Sequence, residues 1–356
     1  MNFKDFDAII DARTPSEYAL DHIPGAISAP VLDDAERAEV GTRYKQVSPF
    51  EAKKLGGALV ARNVARHVEA LFSGKEKGWK PLIYCWRGGK RSGAMAHILR
   101  EIGWDAHTLP GGYRAYRRWV VEQLAVVPAQ YTLRVIHGPT GSGKSRFLAA
   151  LERAGSQVLD LEALAAHRGS VLGALPGEPQ PAQKWFESQL LAKLMQLDRA
   201  TPVFVEGESK KIGQLQVPEA LMARMRASAC VLLDTVLETR VELLLEEYRH
   251  FVHDLDALNA QLDCLAALYG RERIAQWKAL AANGQWREFV ARLLAEHYDP
   301  AYRRSSMRNF EQLAGAPRVA IRGADEAAFA EAAKRFLGVQ AGEHADVLHG
   351  AAAERA

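Results

Sequence analysis

A cysteine followed by a basic, glycine-rich turn is the strongest chemical signal in this sequence. Cys85 comes directly after the apolar run 81–84, and the next six residues contain three cations and two glycines. In such a turn the backbone N–H groups converge with the start of the next helix, whose dipole adds positive charge, so an anion site is expected. This environment lowers a thiol pKa from its usual value of about 8.5. We therefore predict a Cys85 thiolate beside a bound anion, with Arg87 and Arg91 as its cationic partners.

A second signal follows the alternating apolar and polar run 131–137. Residues 138–145 read Gly-Pro-Thr-Gly-Ser-Gly-Lys-Ser, a P-loop pattern between a predicted strand and a predicted helix. The N–H groups of such a loop wrap a diphosphate, its lysine neutralises the outer oxygens, and its serine hydroxyl could hold Mg²⁺. The pattern does not by itself specify ATP. The predicted diphosphate-binding residues are Gly138, Gly141, Ser142, Gly143, Lys144 and Ser145.

Three carboxylates stand at predicted strand ends near this loop. Glu206 ends the apolar run 202–206 and Glu208 follows two residues later, so either lies where a P-loop NTPase normally has its metal-holding aspartate, and Asp160 ends another strand. Each could support a metal ion or simply provide polar support by capping the following helix. The sequence leaves these alternatives open and defines no certain metal site.

Strands alternate with helices along the chain, which indicates an α/β fold with parallel sheets. We predict a first domain over 1–127, a P-loop domain over 128–341 that includes a helical segment over 236–299, and a frayed tail over 342–356. Residues 33–73 have a helical pattern with an expected interruption at Gly56 and Gly57. Cys230 and Cys264 lie on apolar patterns and are expected in the core.

Composition narrows the function classes. The 356 residues favour two domains, and 46 Lys plus Arg against 43 Asp plus Glu neither require nor exclude nucleic acid. The three cysteines form no CxxC pair, which argues against a disulfide framework and a zinc site. The chain has no apolar run near the eighteen or so residues of a membrane span and no signal-peptide pattern at its N-terminus, so we expect a cytoplasmic protein with no membrane partner.

An RNA surface would have to be a local patch of cations. A charge cluster is more often a solvated face, so both interpretations stay open for each one. Trp86, beside the nucleophile, is the predicted platform for an unstacked base. The candidate RNA-contacting cations are Arg114, Arg117, Arg118, Lys210, Lys211, Arg303 and Arg304.

The N-terminal part resembles a rhodanese domain. The resemblance rests on Asp11-Ala12-Arg13, Glu17, the segment 22–26, the Cys85 loop and the segment 109–113. One departure is that five residues, and not four, separate Cys85 from Arg91, which leaves room for a phosphate-sized anion. That spacing is also typical of cysteine phosphatases, which usually have a histidine where this chain has Tyr84, and no general acid for such a reaction is identifiable.

A rhodanese-like domain fused to a P-loop domain resembles the tRNA 2-selenouridine synthases. Further matches are Leu161-Glu162, residues 167–170, Ser209, residues 212–213, residues 298–300 and Tyr302. The resemblance implies a tRNA partner with 2-thiouridine at the wobble position, geranyl diphosphate and selenophosphate as substrates, and no need for ATP. It also implies that Cys85 takes up selenium as a transient S-selanylcysteine. The alternative from another class is a P-loop NTPase whose rhodanese part only senses or docks.

Overall fold

The computed structural model describes residues 1–170 and 172–338, and the predicted tail over 342–356 lies outside these residues. The chain divides into two compact units. The first contains residues 1–124 together with 181–192, and the second contains 125–180 together with the described residues from 193 onward. Each unit is built on a parallel sheet with helices, so the α/β prediction is confirmed.

The first unit contains a four-stranded sheet of order β2-β1-β3-β4, and all of its neighbouring strands are parallel. Its strands are β1 (Ala8–Asp11), β2 (Ile27–Ser28), β3 (Pro81–Tyr84) and β4 (His107–Thr108). Its helices are α1 (Pro15–Leu20), α2 (Asp34–Gln46), α3 (Pro49–His67) with a π turn at Val68–Phe72, α4 (Lys90–Ile102) and most of α5 (Gly112–Val126). The register places Asp11 beside Tyr84, so the carboxyl ends of the two central strands meet at one edge.

The helical break in the region 33–73 falls elsewhere than predicted. Helix α3 runs through Gly56 and Gly57 without interruption, and the break lies between α2 and α3, around Ser48. The Ser48 side chain accepts from the Glu51 N–H, and Pro49 occupies the first turn, so together they start a new helix. A proline at this point stops the preceding helix more effectively than two glycines inside the next one.

The second unit contains a five-stranded parallel sheet of order β11-β10-β5-β7-β6 and a small antiparallel pair, β8-β9. The strands are β5 (Leu133–His137), β6 (Gln157–Leu159), β7 (Val203–Glu206), β8 (Lys211–Ile212), β9 (Leu215–Gln216), β10 (Ala229–Thr235) and β11 (Arg318–Ile321). The predicted sheet of about five strands is thus confirmed. Ile136 of β5 is in register with Glu206 of β7, which brings the end of β7 beside the P-loop.

Helices pack on this sheet and form a predominantly helical segment after β10. They are α6 (Lys144–Arg153), α7 (Leu161–Ala165), α9 (Glu219–Arg226), α10 (Leu237–Glu247), α11 (His250–His253), α12 (Leu255–Asp263), α13 (Ala266–Ala282), α14 (Trp286–Leu293) with a π turn at Leu294–Tyr298, and α15 (Asp299–Asn309). Helix α8 (Gln183–Gln196) comes between α7 and α9 in the sequence, and its residues up to Ala192 belong to the first unit. Short 3₁₀ turns occur at Val127–Gln130 and Glu311–Leu313, and residues 326–338 are helical. Helices α10 to α14 lie within the range 236–299, and α15 continues beyond it.

One cysteine in this segment is not where the pattern placed it. Cys230 is buried as expected, but Cys264 is exposed at the end of α12, because Leu258 and Leu262 take the buried face of that helix. Leu268, which continues the same apolar stripe, is 65% exposed. In the part of the chain that the structure describes, no helix combines the length and apolar character needed to cross a membrane.

Candidate active sites

The Cys85 loop connects the end of β3 to the start of α4, as predicted. Tyr84 is the last residue of the strand and Lys90 the first of the helix. The loop rests against the turn before α5, where the Tyr113 N–H donates to the Cys85 carbonyl at 2.8 Å. Gly112 has a φ of +57°, and a Cβ there would lie 2.2 Å from the Cys85 carbonyl oxygen, so only glycine permits this approach.

The Cys85 thiol is 4% exposed and surrounded by hydrogen-bond donors. Burial alone would raise its pKa, but the Ser92 hydroxyl and the N–H groups of Ser92, Gly89 and Arg87 outweigh it and lower the pKa of Cys85. The Ser92 Oγ lies 3.2 Å from Sγ. Its single proton has an alternative acceptor in the Gly89 carbonyl, at 3.3 Å, and a thiolate is the stronger acceptor of the two. Sequence reasoning missed Ser92.

The two predicted cationic partners differ in their surroundings. Arg87 is exposed at the loop, whereas Arg91 is half-buried and forms an ion pair with Glu17, Nη1 to Oε2 at 2.7 Å. Glu17 also closes the capping box of α1 with Thr14. Burial would raise the pKa of Glu17, but the Arg91 and Thr14 hydrogen bonds outweigh it and lower the pKa, which favours the carboxylate form of Glu17. Glu17 therefore holds Arg91 near the loop.

Behind the loop lies a buried network that explains the Asp-Ala-Arg motif. Arg13 pairs with Asp11 at 2.6 Å, and the Tyr84 hydroxyl donates to the same carboxylate at 2.7 Å. The Arg13 guanidinium also lies 4.0 Å from the centroid of the Tyr113 ring. Asp11 and Arg13 are almost fully buried, so breaking this pair would leave an uncompensated charge at a cost of about 3–5 kcal/mol. The motif supports the site from within the core.

Trp86 is suitably placed for the predicted stacking role. Its side chain is 37% exposed and stacks on Tyr113, with the ring centroids 5.3 Å apart and an interplanar angle of 29°. Of the nearby cations, Arg114 and Arg118 are exposed, whereas Arg117 forms an ion pair with Glu187. Arg117 is therefore less available to a phosphate than its neighbours.

The predicted P-loop residues lie together between β5 and α6 in the second unit. The segment 138–143 forms the loop, and Lys144 begins the helix. The Lys144 ammonium donates to the Gly138 carbonyl at 3.3 Å, so it lies across the loop opening. At Gly143 the φ is +81° and a Cβ would lie 2.4 Å from the Phe329 ring, so the residue must be glycine. A loop of this form can present its backbone N–H groups and its lysine to a single anion.

This loop opens into a cavity of about 830 Å³. Segments far apart in the sequence converge on it, including those that carried the family resemblance. Residues from these segments that line the cavity are Glu162, His167, Arg168, Gly169, Ser170, Ser209, Tyr298 and Tyr302. The volume is in the usual range for a small-molecule site.

Carboxylates surround the P-loop serine. The Ser145 hydroxyl donates to Glu162 at 2.8 Å, and the Glu162 N–H donates to Glu206 at 2.6 Å. Burial, together with repulsion from Glu208, raises the pKa of Glu162 to about 8, and burial beside Asp160 and Glu162 raises that of Glu206 well above its usual range. Both shifts favour the protonated carboxyl groups, which reduces the negative charge beside the P-loop. Sequence analysis gave no role to Glu162.

Each of the three carboxylates predicted near strand ends contacts a neighbouring polar or backbone group. Asp160 caps α7 by accepting from the Ala163 N–H at 2.8 Å, Glu206 accepts from Glu162, and Glu208 packs on Gly169. Across residues 1–170 and 172–338, no three His, Cys, Asp or Glu side chains are arranged to hold a metal ion. Mg²⁺ would fit here only with Ser145, diphosphate oxygens and water as its main ligands.

Two side chains outside the P-loop, which the sequence analysis did not predict, hydrogen-bond to its backbone. Arg240 donates to the Thr140 carbonyl at 2.9 Å and forms a two-point ion pair with Asp299, at 2.6 and 3.1 Å. Thr235 donates to the Ser142 carbonyl at 3.0 Å. Asp299 lies in a segment that carried the family resemblance, which was the only available signal for it.

The remaining candidate RNA cations lie in this second unit. Lys210 lines the P-loop cavity and pairs with Glu219 at 2.6 Å. Lys211, Arg303 and Arg304 are exposed. Their role in RNA binding stays a prediction.

Comparisons with known proteins agree with this two-part organisation. A family model for a rhodanese-like domain matches residues 1–118, and the tRNA 2-selenouridine synthase AAA domain matches 131–330. A tRNA 2-selenouridine synthase of Nitrosomonas europaea is 37% identical over 67% of this chain and 63% of its own length, so the match spans slightly under two thirds of that relative.

Longer matches come from two other proteins with the same name. The one of Alcanivorax borkumensis is 34% identical over 83% of this chain and 88% of its own length. That of Sulfurovum sp. is 31% identical over 86% of this chain and 90% of its own length. The chain therefore belongs to the tRNA 2-selenouridine synthase family.

Proposed function

We propose that this protein is a tRNA-modifying transferase that converts wobble 2-thiouridine to 2-selenouridine in two steps. In the first, the thiocarbonyl sulfur is geranylated from geranyl diphosphate. In the second, selenium from selenophosphate replaces the alkylated sulfur. The observation that carries the proposal is the buried Cys85 thiol, whose pKa is lowered by the Ser92 hydroxyl and loop N–H groups, in one unit, while the P-loop lies in the other.

The P-loop is suited to the first step. The sulfur of 2-thiouridine attacks C1 of the donor, the C1–O bond breaks, and diphosphate leaves with the electron pair. Lys144 and the loop N–H groups would stabilise the charge that grows on the departing oxygens. Mg²⁺, when bound through Ser145 and the diphosphate, would supply further positive charge. This step consumes no ATP.

The second step begins from an S-alkylated C2, from which sulfur leaves far more readily as a thiol. Electron counting then restricts the role of Cys85. If its thiolate attacked selenium and expelled the phosphorus group, phosphorus would depart at the phosphite level, so an S-selanylcysteine formed with release of phosphate would require an oxidant. No oxidant is needed if the Cys85 thiolate instead attacks C2 of the S-alkylated base.

In that balanced route the Cys85 sulfur bonds to C2, and the bond between C2 and the geranylated sulfur breaks. The departing thiolate takes up a proton and leaves as geranylthiol. The selenium of selenophosphate then attacks C2 and displaces the Cys85 thiolate. Water finally attacks phosphorus, the Se–P bond breaks, and phosphate leaves 2-selenouridine behind. Arg87 and Arg91 would hold the phosphoryl group, and Trp86 would stack on the base.

Reconstitution with a tRNA that carries 2-thiouridine tests the proposal. Geranyl diphosphate alone should yield S-geranyl-2-thiouridine, and addition of selenophosphate should convert it to 2-selenouridine, as measured by mass spectrometry of the nucleosides. An unchanged 2-thiouridine in both reactions would refute the proposal. ATP turnover that survives loss of Cys85 would instead favour the P-loop NTPase, and release of phosphate from phosphomonoesters the phosphatase.

A further inference from the structure

A second, apolar cavity adjoins the P-loop cavity within the second unit. Its volume is about 50 Å³. Five residues line both cavities and form the boundary between them: Thr140, Ser170, Leu244, Tyr248 and Tyr298. Thr140 belongs to the P-loop itself, so the apolar space begins directly beside the predicted diphosphate site.

The walls of the second cavity come mainly from the helical segment that follows β10. Leu258 of α12 is fully buried, and Phe289 and Leu293 of α14 are 4% exposed each. None of the described residues that line the cavity is charged. A cavity of this kind favours hydrocarbon over water, because water would find too few hydrogen-bond partners in it.

The boundary between the cavities satisfies its own polar groups. The hydroxyl oxygens of Ser170 and Tyr248 lie 3.2 Å apart, and the ring of Tyr248 lies 5.0 Å below the Arg168 guanidinium. Leu244 and Tyr298 complete this boundary beside the paired hydroxyl groups. The boundary thus separates a cavity lined by charged and polar groups from an apolar one, which suits a ligand that is polar at one end and apolar at the other.

We propose that the apolar cavity binds the distal isoprene unit of a prenyl diphosphate and so selects a ten-carbon donor. The inference rests on the proposed function, because it takes the diphosphate of the donor to lie in the P-loop. A volume of 50 Å³ holds about three to five groups of the size of a water molecule, which matches the five carbons of one isoprene unit.

The two isoprene units then occupy different spaces. The unit next to the diphosphate stays in the larger cavity, where its C1 remains accessible to an incoming sulfur atom. The distal unit fills the apolar cavity, whose volume of about 50 Å³ leaves no room for a third unit. Burial of five carbons should raise affinity on the order of 10²-fold over a five-carbon donor, whereas five more carbons should add nothing.

A matched pair of variants tests this assignment. Leu258 and Leu262 are both fully buried on α12 and belong to one core cluster, but only Leu258 is among the residues that line the cavity. Leu258→Ala and Leu262→Ala remove the same atoms, so their losses of folding stability should be similar. Only the first should enlarge the cavity and admit a longer donor.

Binding to the tRNA-free protein is measured by calorimetry with inorganic, dimethylallyl, geranyl and farnesyl diphosphate. In the wild type, geranyl diphosphate should bind about 10²-fold more tightly than the dimethylallyl donor and at least as tightly as the farnesyl donor. Leu258→Ala should shift the geranyl-to-farnesyl ratio of affinities at least about tenfold toward farnesyl. The ratio in Leu262→Ala should match the wild type.

Two results would overturn the inference: geranyl diphosphate that binds no more tightly than inorganic diphosphate, or the same donor preference in both variants. The wild-type donor series needs no variant, so it decides the question even if Leu258→Ala fails to fold. Chain-length selection without alkylation of 2-thiouridine tRNA would support the cavity and contradict the proposed function. Alkylation of 2-thiouridine tRNA without chain-length selection would support the proposed function and contradict the role of the apolar cavity.

Discussion

Removal of the Ser92 hydroxyl should make Cys85 a weaker nucleophile at neutral pH. Among residues 1–170 and 172–338, this hydroxyl is the side-chain donor that contacts Sγ, at 3.2 Å, in a site where the thiol is 4% exposed. A hydrogen bond to a charged group contributes about 1.5–3 kcal/mol. Since one pKa unit corresponds to about 1.4 kcal/mol, Ser92→Ala should raise the pKa of Cys85 by about one to two units.

The pKa is measured as the midpoint of the rate of alkylation by iodoacetamide against pH. Because Cys264 is exposed, the assay follows the Cys85 peptide by mass spectrometry. The wild-type midpoint should lie below the ordinary thiol value of about 8.5, and the thiolate fraction of the variant at pH 7 should fall at least about tenfold.

Ser48→Ala is the matched control, since it removes a serine hydroxyl that accepts a hydrogen bond from the Glu51 N–H elsewhere in the same unit. Ser48→Ala should lower helix stability slightly and leave the pH midpoint of Cys85 alkylation unchanged. If the midpoints of Ser92→Ala and the wild type coincide, the backbone N–H groups alone set the pKa and the argument for Ser92 fails.

Two further predictions concern stability and RNA. Because the pKa of buried Glu206 is raised, folding holds a proton that the unfolded chain releases above about pH 4.3, and stability is lost as pH rises from that value toward the folded pKa. Glu206→Gln should therefore gain in melting temperature relative to the wild type between pH 5 and pH 8, and a constant difference would contradict this. If exposed Arg114 and Arg118 contact tRNA phosphates, each alanine variant should flatten the slope of log K against log salt by about 0.7 to 0.9 in filter binding, and unchanged slopes would exclude both contacts.

Local signals predicted the two loops because each carries its chemistry in consecutive residues. A strand, a short loop and a helix suffice to place Cys85 and Lys144, and both occur where the pattern put them. The parallel sheets followed from the alternation of strands and helices. The break between α2 and α3 was missed because two glycines outweighed the capping signal of Ser48 and Pro49.

Residues whose partners lie far away in the sequence could not be predicted from it. Glu17 and Arg91 meet across 74 positions of the chain, and Arg240 reaches back 100 positions to Thr140. No spacing rule links such pairs, since tertiary packing alone brings them together. The exposure of Cys264 has the same origin, because the neighbouring leucines determine which face of α12 is buried.

The central claim is that Cys85 acts only in the selenium step and the P-loop only in alkylation. It is tested most directly by nucleoside mass spectrometry on 2-thiouridine tRNA treated with Cys85→Ala in the presence of geranyl diphosphate and selenophosphate. The account predicts that S-geranyl-2-thiouridine accumulates and 2-selenouridine is absent. Lys144→Ala should give the opposite result. Its alkylation of 2-thiouridine should be slower on the order of 10²-fold, but it should convert a supplied S-geranyl tRNA to 2-selenouridine normally. Loss of both products in correctly folded Cys85→Ala, or 2-selenouridine formed without Cys85, would contradict the account.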